Sequence, residues 1–180
     1  AVFTDPPEPP PVLGTVPEFN LTDQSNQPYG SDDLLGKVWV ANFIFTRCET
    51  VCPLFSAEMA KLQKRTDNAS VGIQLVSFSV DPEHDTPAVL KEYARRYSAN
   101  PWYWHFLTGP IRDIRETVTD GLKTAMGESS SAATIQETLF HGSHFVLIDR
   151  QMQIRGFYRV EETDTVHRLI ADIKQLINER

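Results

Sequence analysis

The sequence is short of the residues that usually fix or anchor a small protein. It has two cysteines, too few for a disulfide framework. Its three methionines, Met59, Met126 and Met152, are scattered and form no methionine-rich metal tract. No long apolar run is present: the stretch VWVANFIF falls far short of the roughly 20 residues that cross a bilayer. Basic residues are in deficit, 17 Lys and Arg against 24 Asp and Glu. The resulting charge of −7 disfavours nucleic acid as a partner, because duplex binding draws on clustered Lys and Arg. It is compatible with a cationic cargo or a basic patch on a partner, but plain solubility is the simpler reading. The opening AVFTDPPEPPPVLG has neither the basic start nor the apolar stretch of a signal peptide, so a natural membrane anchor is expected to lie outside this chain.

What is present describes an ordinary globular domain. Hydrophobic residues make up 41% and charged residues 23%, and 180 residues suffice for one sizeable core. Residues 1–13 read as a proline-rich, extended tether with nothing to pack, and 14–180 as the domain. The polar cluster in FNLTDQSNQPYG predicts an N-terminal β-hairpin over 19–29. KVWVANFIF (37–45) and GIQLVSFSV (72–80) predict buried strands, and PLFSAEMAKLQKR (53–65) predicts the helix after the first of them. DTPAVLKEYARRY opens a second helix, with Asp85 or Thr86 as N-cap and Pro87 in its first turn. Residues 144–149 and 153–158 predict an antiparallel pair. The spacing of Val166, Leu169, Ile170, Ile173, Leu176 and Ile177 predicts an amphipathic C-terminal helix with Asp164 near its start. GESSSAAT (127–134) reads as a surface loop. The alternation implies an α/β, thioredoxin-like architecture: a central mixed β-sheet flanked by helices, with the N-terminal hairpin added.

Both cysteines fall in FTRCETVCPLF, at Cys48 and Cys52, where a strand turns into a helix. Such a turn is expected to be exposed at the carboxyl end of the sheet. The four-residue step is expected to put both sulfurs on one helical face, where the helix N-terminus, with Arg47 in addition, favours thiolates. Several readings stay open. A redox pair is chemically feasible, although the usual oxidoreductase motif has two intervening residues and here there are three. Zinc normally takes four ligands from cysteine pairs or histidine-rich segments that this chain lacks. Two thiolates and one imidazole suit Cu(I) and would also hold Cu(II). Two inert core cysteines are the plainest alternative, opposed by the turn position.

The segment VWVANFIFTRCETVCP resembles the copper-motif segment of the Sco/SenC family. SFSVDPEHDTP, WHFLTG, HGSHFVLID and the upstream VPEFNLTDQSNQPYGSDDLLGKV resemble further family segments in the same order, together covering most of residues 14–160. The resemblance implies a thioredoxin fold and one copper ion bound by Cys48, Cys52 and a distal histidine. It implies a metallochaperone that delivers copper to, or reduces the thiols of, the binuclear copper A centre of cytochrome c oxidase subunit II. Other copper chaperones or thiol reductants would be further partners. The location implied is the periplasmic side of the inner membrane, or the mitochondrial intermembrane space. A thiol-disulfide oxidoreductase and a copper or redox sensor are the alternatives.

In the family pattern the ligand histidine lies eight residues before the Asp that ends an L-[IV]-D strand. Counting back from Asp149 gives His141. His144 is the competing candidate, but it is expected to be locked in the strand, whereas a residue on the preceding loop could swing over the cysteine turn. His84 is expected in an exposed turn, His105 at a strand or core edge, and His167 on the surface of the last helix. Asp81 and Asp85 read as turn and cap residues. Met59 reads as core.

Overall fold

The computed structural model describes residues 7–67, 72–124, 126 and 144–179. The main sheet contains β1 (Gly14–Thr15), β4 (Val38–Ile44), β5 (Ile73–Ser79), β6 (Trp104–Leu107), β7 (Phe145–Ile148) and β8 (Gln153–Tyr158), in spatial order β1-β8-β7-β4-β5-β6. A separate hairpin pairs β2 (Asn20–Thr22) with β3 (Pro28–Gly30). The helices are α1 (Ser31–Leu34), α2 (Val51–Thr66), α3 (Pro87–Arg96), α4 (Ile111–Arg115), which continues into a π-helical turn over Glu116–Gly121, and α5 (Thr165–Asn178). The β4, β5 and β6 strands run parallel, while β7, β8 and β1 add antiparallel pairings. This is the mixed α/β, thioredoxin-like sheet that the sequence pattern predicts.

β4 and β5 are rich in apolar residues because neither face meets water: all seven residues of each strand are buried. A polar thread crosses this core. The Ser77 hydroxyl donates to Asn42 Oδ1 and accepts from the Trp104 indole N–H at 2.9 Å, joining three strands. The hairpin protects the outer edge of β6. The Gln24 amide group donates to the Trp104 carbonyl at 3.1 Å and accepts the Phe106 N–H at 2.9 Å, so one side chain takes the place of a neighbouring strand. Gly30 permits the hairpin to close, since a Cβ there would stand 2.2 Å from the Phe19 carbonyl oxygen.

At α3 the sequence left the cap between two residues. Thr86 takes it, accepting the Val89 N–H at 3.3 Å, with Pro87 as the first helical residue. Asp85 is thereby released for another role. Asp164 does stand at the start of α5, but with left-handed backbone (φ 68°) and no side-chain cap bond.

The proline-rich segment departs from expectation. Its described part, from Pro7 onward, does not hang free. Arg155, at the bulge between β7 and β8, donates to the Pro10 carbonyl at 2.8 Å. The same guanidinium reaches Asp149 at 2.9 Å and both carboxylate oxygens of Glu179 at 2.9 and 2.8 Å. Gln175 donates to the Pro7 carbonyl, and the Leu13 N–H donates to Ile154. Proline cannot contribute an N–H to a ladder but keeps its carbonyl, and a buried arginine with several donors uses those carbonyls. GESSSAAT (127–134) lies outside the described residues.

Removing Arg155 strands Asp149, whose side chain is 3% exposed, without its cation. Arg155→Ala is therefore expected to cost about 3 kcal/mol of stability in urea unfolding, in the range for breaking a buried pair. Arg155→Lys should recover only part of this, since one ammonium cannot span three acceptor groups. A loss below about 1 kcal/mol for Arg155→Ala would mean that the cluster contributes no more than a surface ion pair.

Candidate metal centre

Cys48 and Cys52 stand at the carboxyl end of β4, where the chain turns into α2. The turn is closed by the Cys48 N–H, which donates to the Phe45 carbonyl at 3.1 Å. Helix α2 begins at Val51, so Cys52 is in its first turn, while Cys48 precedes it and is not on the helix as the four-residue step suggested. The two sulfurs nevertheless meet. Both cysteines are in the dithiol form.

The first turn of a helix leaves backbone N–H groups without intrahelical partners. Thr50, at the cap position, supplies no side-chain bond here. The Cys48 sulfur takes over, accepting the Cys52 N–H at 3.2 Å. Pro53, next in line, has no N–H to satisfy and costs the turn nothing. The Cys48 thiol is drawn down from 9.0 to about 6, chiefly because the Cys52 thiol hydrogen-bonds to it, with backbone N–H groups of Cys52, Thr50 and Val51 adding to the effect against the cost of burial. The Cys52 thiol is pushed up, because it serves as donor to Cys48 and because it is buried. Of the two thiols, Cys48 is therefore the one that ionises first, with Cys52 as its donor.

Three expectations need correction. The cysteines are not exposed: Cys48 is 5% and Cys52 0% accessible. Cys52 falls on the inner stripe of α2 with Phe55, Ser56 and Met59, all buried, a 3.6-residue pattern visible in the sequence but not applied to the cysteine. Arg47, expected to favour the thiolates, is instead held by a carboxylate. Its Nε and Nη2 both donate to Asp81 Oδ2 at 2.8 Å. Asp85 caps no helix. It is fully buried and accepts hydrogen bonds from the Thr46 amide, the Thr46 hydroxyl and the Ser79 hydroxyl at 2.7 Å. Sequence reasoning missed this residue; the only signal was that Thr86 beside it could cap α3 alone.

The histidines separate. His141 lies outside the described residues. His144 immediately precedes β7 and is not in its ladder, yet it is packed in place, its ring edge-on to Phe157 at 4.9 Å. Burial holds its imidazole below the usual value, followed by the nearby Arg159 charge. His105 is in β6, as expected at a strand edge, stacked on Tyr29 at 4.0 Å with Nδ1 3.5 Å from Asp23. His84 and His167 are exposed. Met59 is fully buried core. Among the described residues no group of three or more His, Cys, Asp or Glu side chains could hold a metal ion. What they do offer is two adjoining sulfurs, one favoured as thiolate, which suits a soft cation once a third donor is supplied.

Comparison with known proteins converges on one family. The SCO1/SenC family model matches residues 9–178. The SCO1 protein homolog of Bacillus subtilis is 32% identical over 165 residues, covering 91% of this chain and 83% of the relative. A putative copper-binding protein of Stutzerimonas stutzeri is 30% identical over 170 residues, covering 92% and 78%. The solved structure of BsSco, a member of the Sco family of cytochrome c oxidase assembly proteins in which a disulfide switch was identified, superposes with a TM-score of 0.84 at 30% identity, covering 96% of this chain and all of that one.

The sulfur cap makes a measurable statement about ionisation. Alkylation of Cys48 by iodoacetamide, followed by mass spectrometry across the acid-to-neutral range, is expected to show half-ionisation near pH 6, the value to which the thiol is lowered. Cys52→Ala removes the largest cause of the lowering, so the midpoint should rise. Cys52→Ser keeps a donor and should raise it less. A midpoint near the ordinary value of about 8.5 in the unsubstituted protein would rule out the thiolate cap.

Proposed function

The chain belongs to the SCO1/SenC family, and from that premise we propose that it is a copper metallochaperone. It binds one copper ion through Cys48, Cys52 and His141. It passes the ion to the binuclear copper A centre of cytochrome c oxidase, or reduces a disulfide between the cysteines of that centre so that the resulting thiols accept copper. The observation that carries this reading is the thiolate–thiol pair capping α2: two soft sulfurs already in contact, one of them ionised near neutral pH, at the end of a central strand. The copper-binding relative in Stutzerimonas stutzeri and the oxidase-assembly family of BsSco support the cargo and the recipient. The domain is proposed to be residues 14–180, working at the periplasmic side of the inner membrane or, in a eukaryote, in the mitochondrial intermembrane space.

His141 is favoured as third ligand over His144 for a physical reason. The His144 ring is held against Phe157 beside β8, whereas a metal ligand has to turn its nitrogen toward the sulfurs. Soft sulfur alone retains Cu(I), while Cu(II) gains more from imidazole nitrogen. A second reading, thiol-disulfide exchange, is favoured by the asymmetry of the two thiols. A low-lying Cys48 beside a raised Cys52 is the arrangement of an attacking thiolate with a protonated partner. The two readings are compatible, since reducing a recipient's disulfide prepares it for copper.

Copper titration of the reduced protein tests the assignment. One equivalent should bind, and the Cys48–Cys52 disulfide form should retain none at high affinity, because the ligand is the thiolate. His141→Ala should weaken Cu(II) binding by more than about a hundredfold, the upper end of what loss of a merely supporting partner costs, and alter the thiolate-to-copper absorption. Cu(I) binding should fall less, and His144→Ala should leave both nearly intact. The reverse pattern in the two histidine variants would move the ligand to His144, and equal binding by Cys48→Ser and the unsubstituted protein would remove the site altogether.

A further inference from the structure

Of the three tryptophans, Trp39 and Trp104 are core and fully buried. Trp102 is 80% exposed, the most exposed large apolar side chain among the described residues. It is nevertheless held in place. Asn100 builds a tight turn around it: its N–H donates to Gln63 Oε1 at 2.8 Å, its Oδ1 accepts the Trp102 N–H at 3.0 Å, and its carbonyl accepts the Tyr103 and Trp104 N–H groups at 3.0 and 2.9 Å. Pro101 takes the second position of this turn, where its fixed φ is favoured. A rigid turn that keeps an indole in water forgoes the burial from which the side chain gains most. The sheet sets where this happens. β4, β5 and β6 run parallel, so Trp102, two residues before β6, lies at the edge opposite the cysteines. α2 ends at that edge with Lys64 and Arg65, and α3 with Arg95 and Arg96, all four exposed. Gln63 also donates to the Ser98 carbonyl, tying the two helix ends together. Leu35, second in exposure at 62%, and the exposed Lys37 precede β4 at the same pole.

Basic residues in a last helical turn complement the helix dipole, and that alone would account for the pairs on α2 and α3. It does not account for Trp102. The carboxylates at this pole are Asp67, at the end of α2, and Glu92, paired with Arg95 at 3.4 Å. Asp32 and Asp33 of α1 line a groove with Glu18 on the hairpin side. Five basic side chains against two acidic ones give the pole +3, in a chain whose total is −7. The charge of about −0.5 carried by each of the two helix ends does not cancel this. A lone indole among Lys and Arg does not make the core of a protein interface, which is depleted in Lys and covers about 800 Å² per partner. It matches the headgroup region of a bilayer, where Trp rings settle at the boundary and basic side chains meet lipid phosphates. We infer that this pole docks on the surface of an anionic bilayer, with the Trp102 ring at headgroup level. The cysteine turn then faces away from the lipid, beyond the far end of β4, whose seven residues span about 23 Å. The inference goes beyond the copper reading and does not rest on it.

Sedimentation of the protein with lipid vesicles tests this. Binding is expected to vesicles of equal parts phosphatidylglycerol and phosphatidylcholine at low ionic strength. It should fall steeply as salt is raised, because the charges are exposed. Vesicles of phosphatidylcholine alone should bind about a hundredfold less, at about fivefold for each net charge. Arg95→Gln combined with Arg96→Gln should weaken binding to the anionic vesicles about twenty-five-fold on the same scale. Trp102→Ser, at an exposed position, should keep the fold and weaken binding about tenfold or more. Ile111→Ser, which removes an exposed apolar side chain after the far end of β6, should change nothing. Brominated acyl chains should quench Trp102 but not the buried Trp39 and Trp104, so quenching should vanish in Trp102→Phe. Absence of binding to the anionic vesicles at low ionic strength overturns the inference and leaves Trp102 to a protein partner. Equal binding by neutral vesicles, or by Trp102→Ser and the unsubstituted protein, overturns it as well. Vesicle binding that persists while the copper titration fails upholds the docking pole and sinks the chaperone instead.

Discussion

A sulfur atom stands where α2 needs an oxygen. Side-chain caps of helix starts are normally carboxylates, amides or hydroxyls; here Thr50 occupies the cap position without bonding, and Cys48 does the work with its sulfur. The helix start and the ionised thiol are therefore one interaction seen from two sides. The N–H groups that would be orphaned hold the negative charge, and the negative charge satisfies the N–H groups. Any chemistry that draws electron density away from Cys48, whether metal binding or disulfide formation, also loosens the first turn of α2. The state of the sulfur is written into the backbone beside it.

This arrangement needs a rigid floor, and the sheet supplies it. β4 delivers the turn, β5 runs parallel beside it, and the loop after β5 returns Asp81 and Asp85 to the residues just before Cys48. Parallel neighbours end at the same edge, so the loops that follow two adjacent strands are brought together by topology alone. The polar thread of Asn42, Ser77 and Trp104 fixes the register of the three strands beneath.

Much of this was legible in the sequence. Strands β4 and β5, helices α2, α3 and α5 and the final hairpin are set by apolar patterning, and β8 matches its predicted span over 153–158 residue for residue. Strand ends elsewhere shift by a residue, as at His144, because the apolar run and the hydrogen-bonded ladder need not stop together. The cysteine pair was legible as a site, but its burial was not. Its position at a turn argued for exposure, while the stripe of Phe55, Ser56 and Met59 that encloses Cys52 argued the other way. The role of Asp85 was hidden because its partners, Thr46 and Ser79, are distant in sequence or on another strand. The docking of the proline-rich segment was hidden because it depends on carbonyls, which every sequence has.

The fastening of that segment has a mechanical consequence. Its contacts, at Ile154, Arg155 and Gln175, lie at the start of β8 and the end of α5, on the side of the start of β4, whereas the cysteines follow the end of β4. Tension arriving through Pro7 is thus spent on the guanidinium and on the last turn of α5, a full strand length from the sulfurs. The arrangement works as strain relief works on a cable: the domain can be tugged or swung from its tail while the geometry at its opposite pole stays undisturbed.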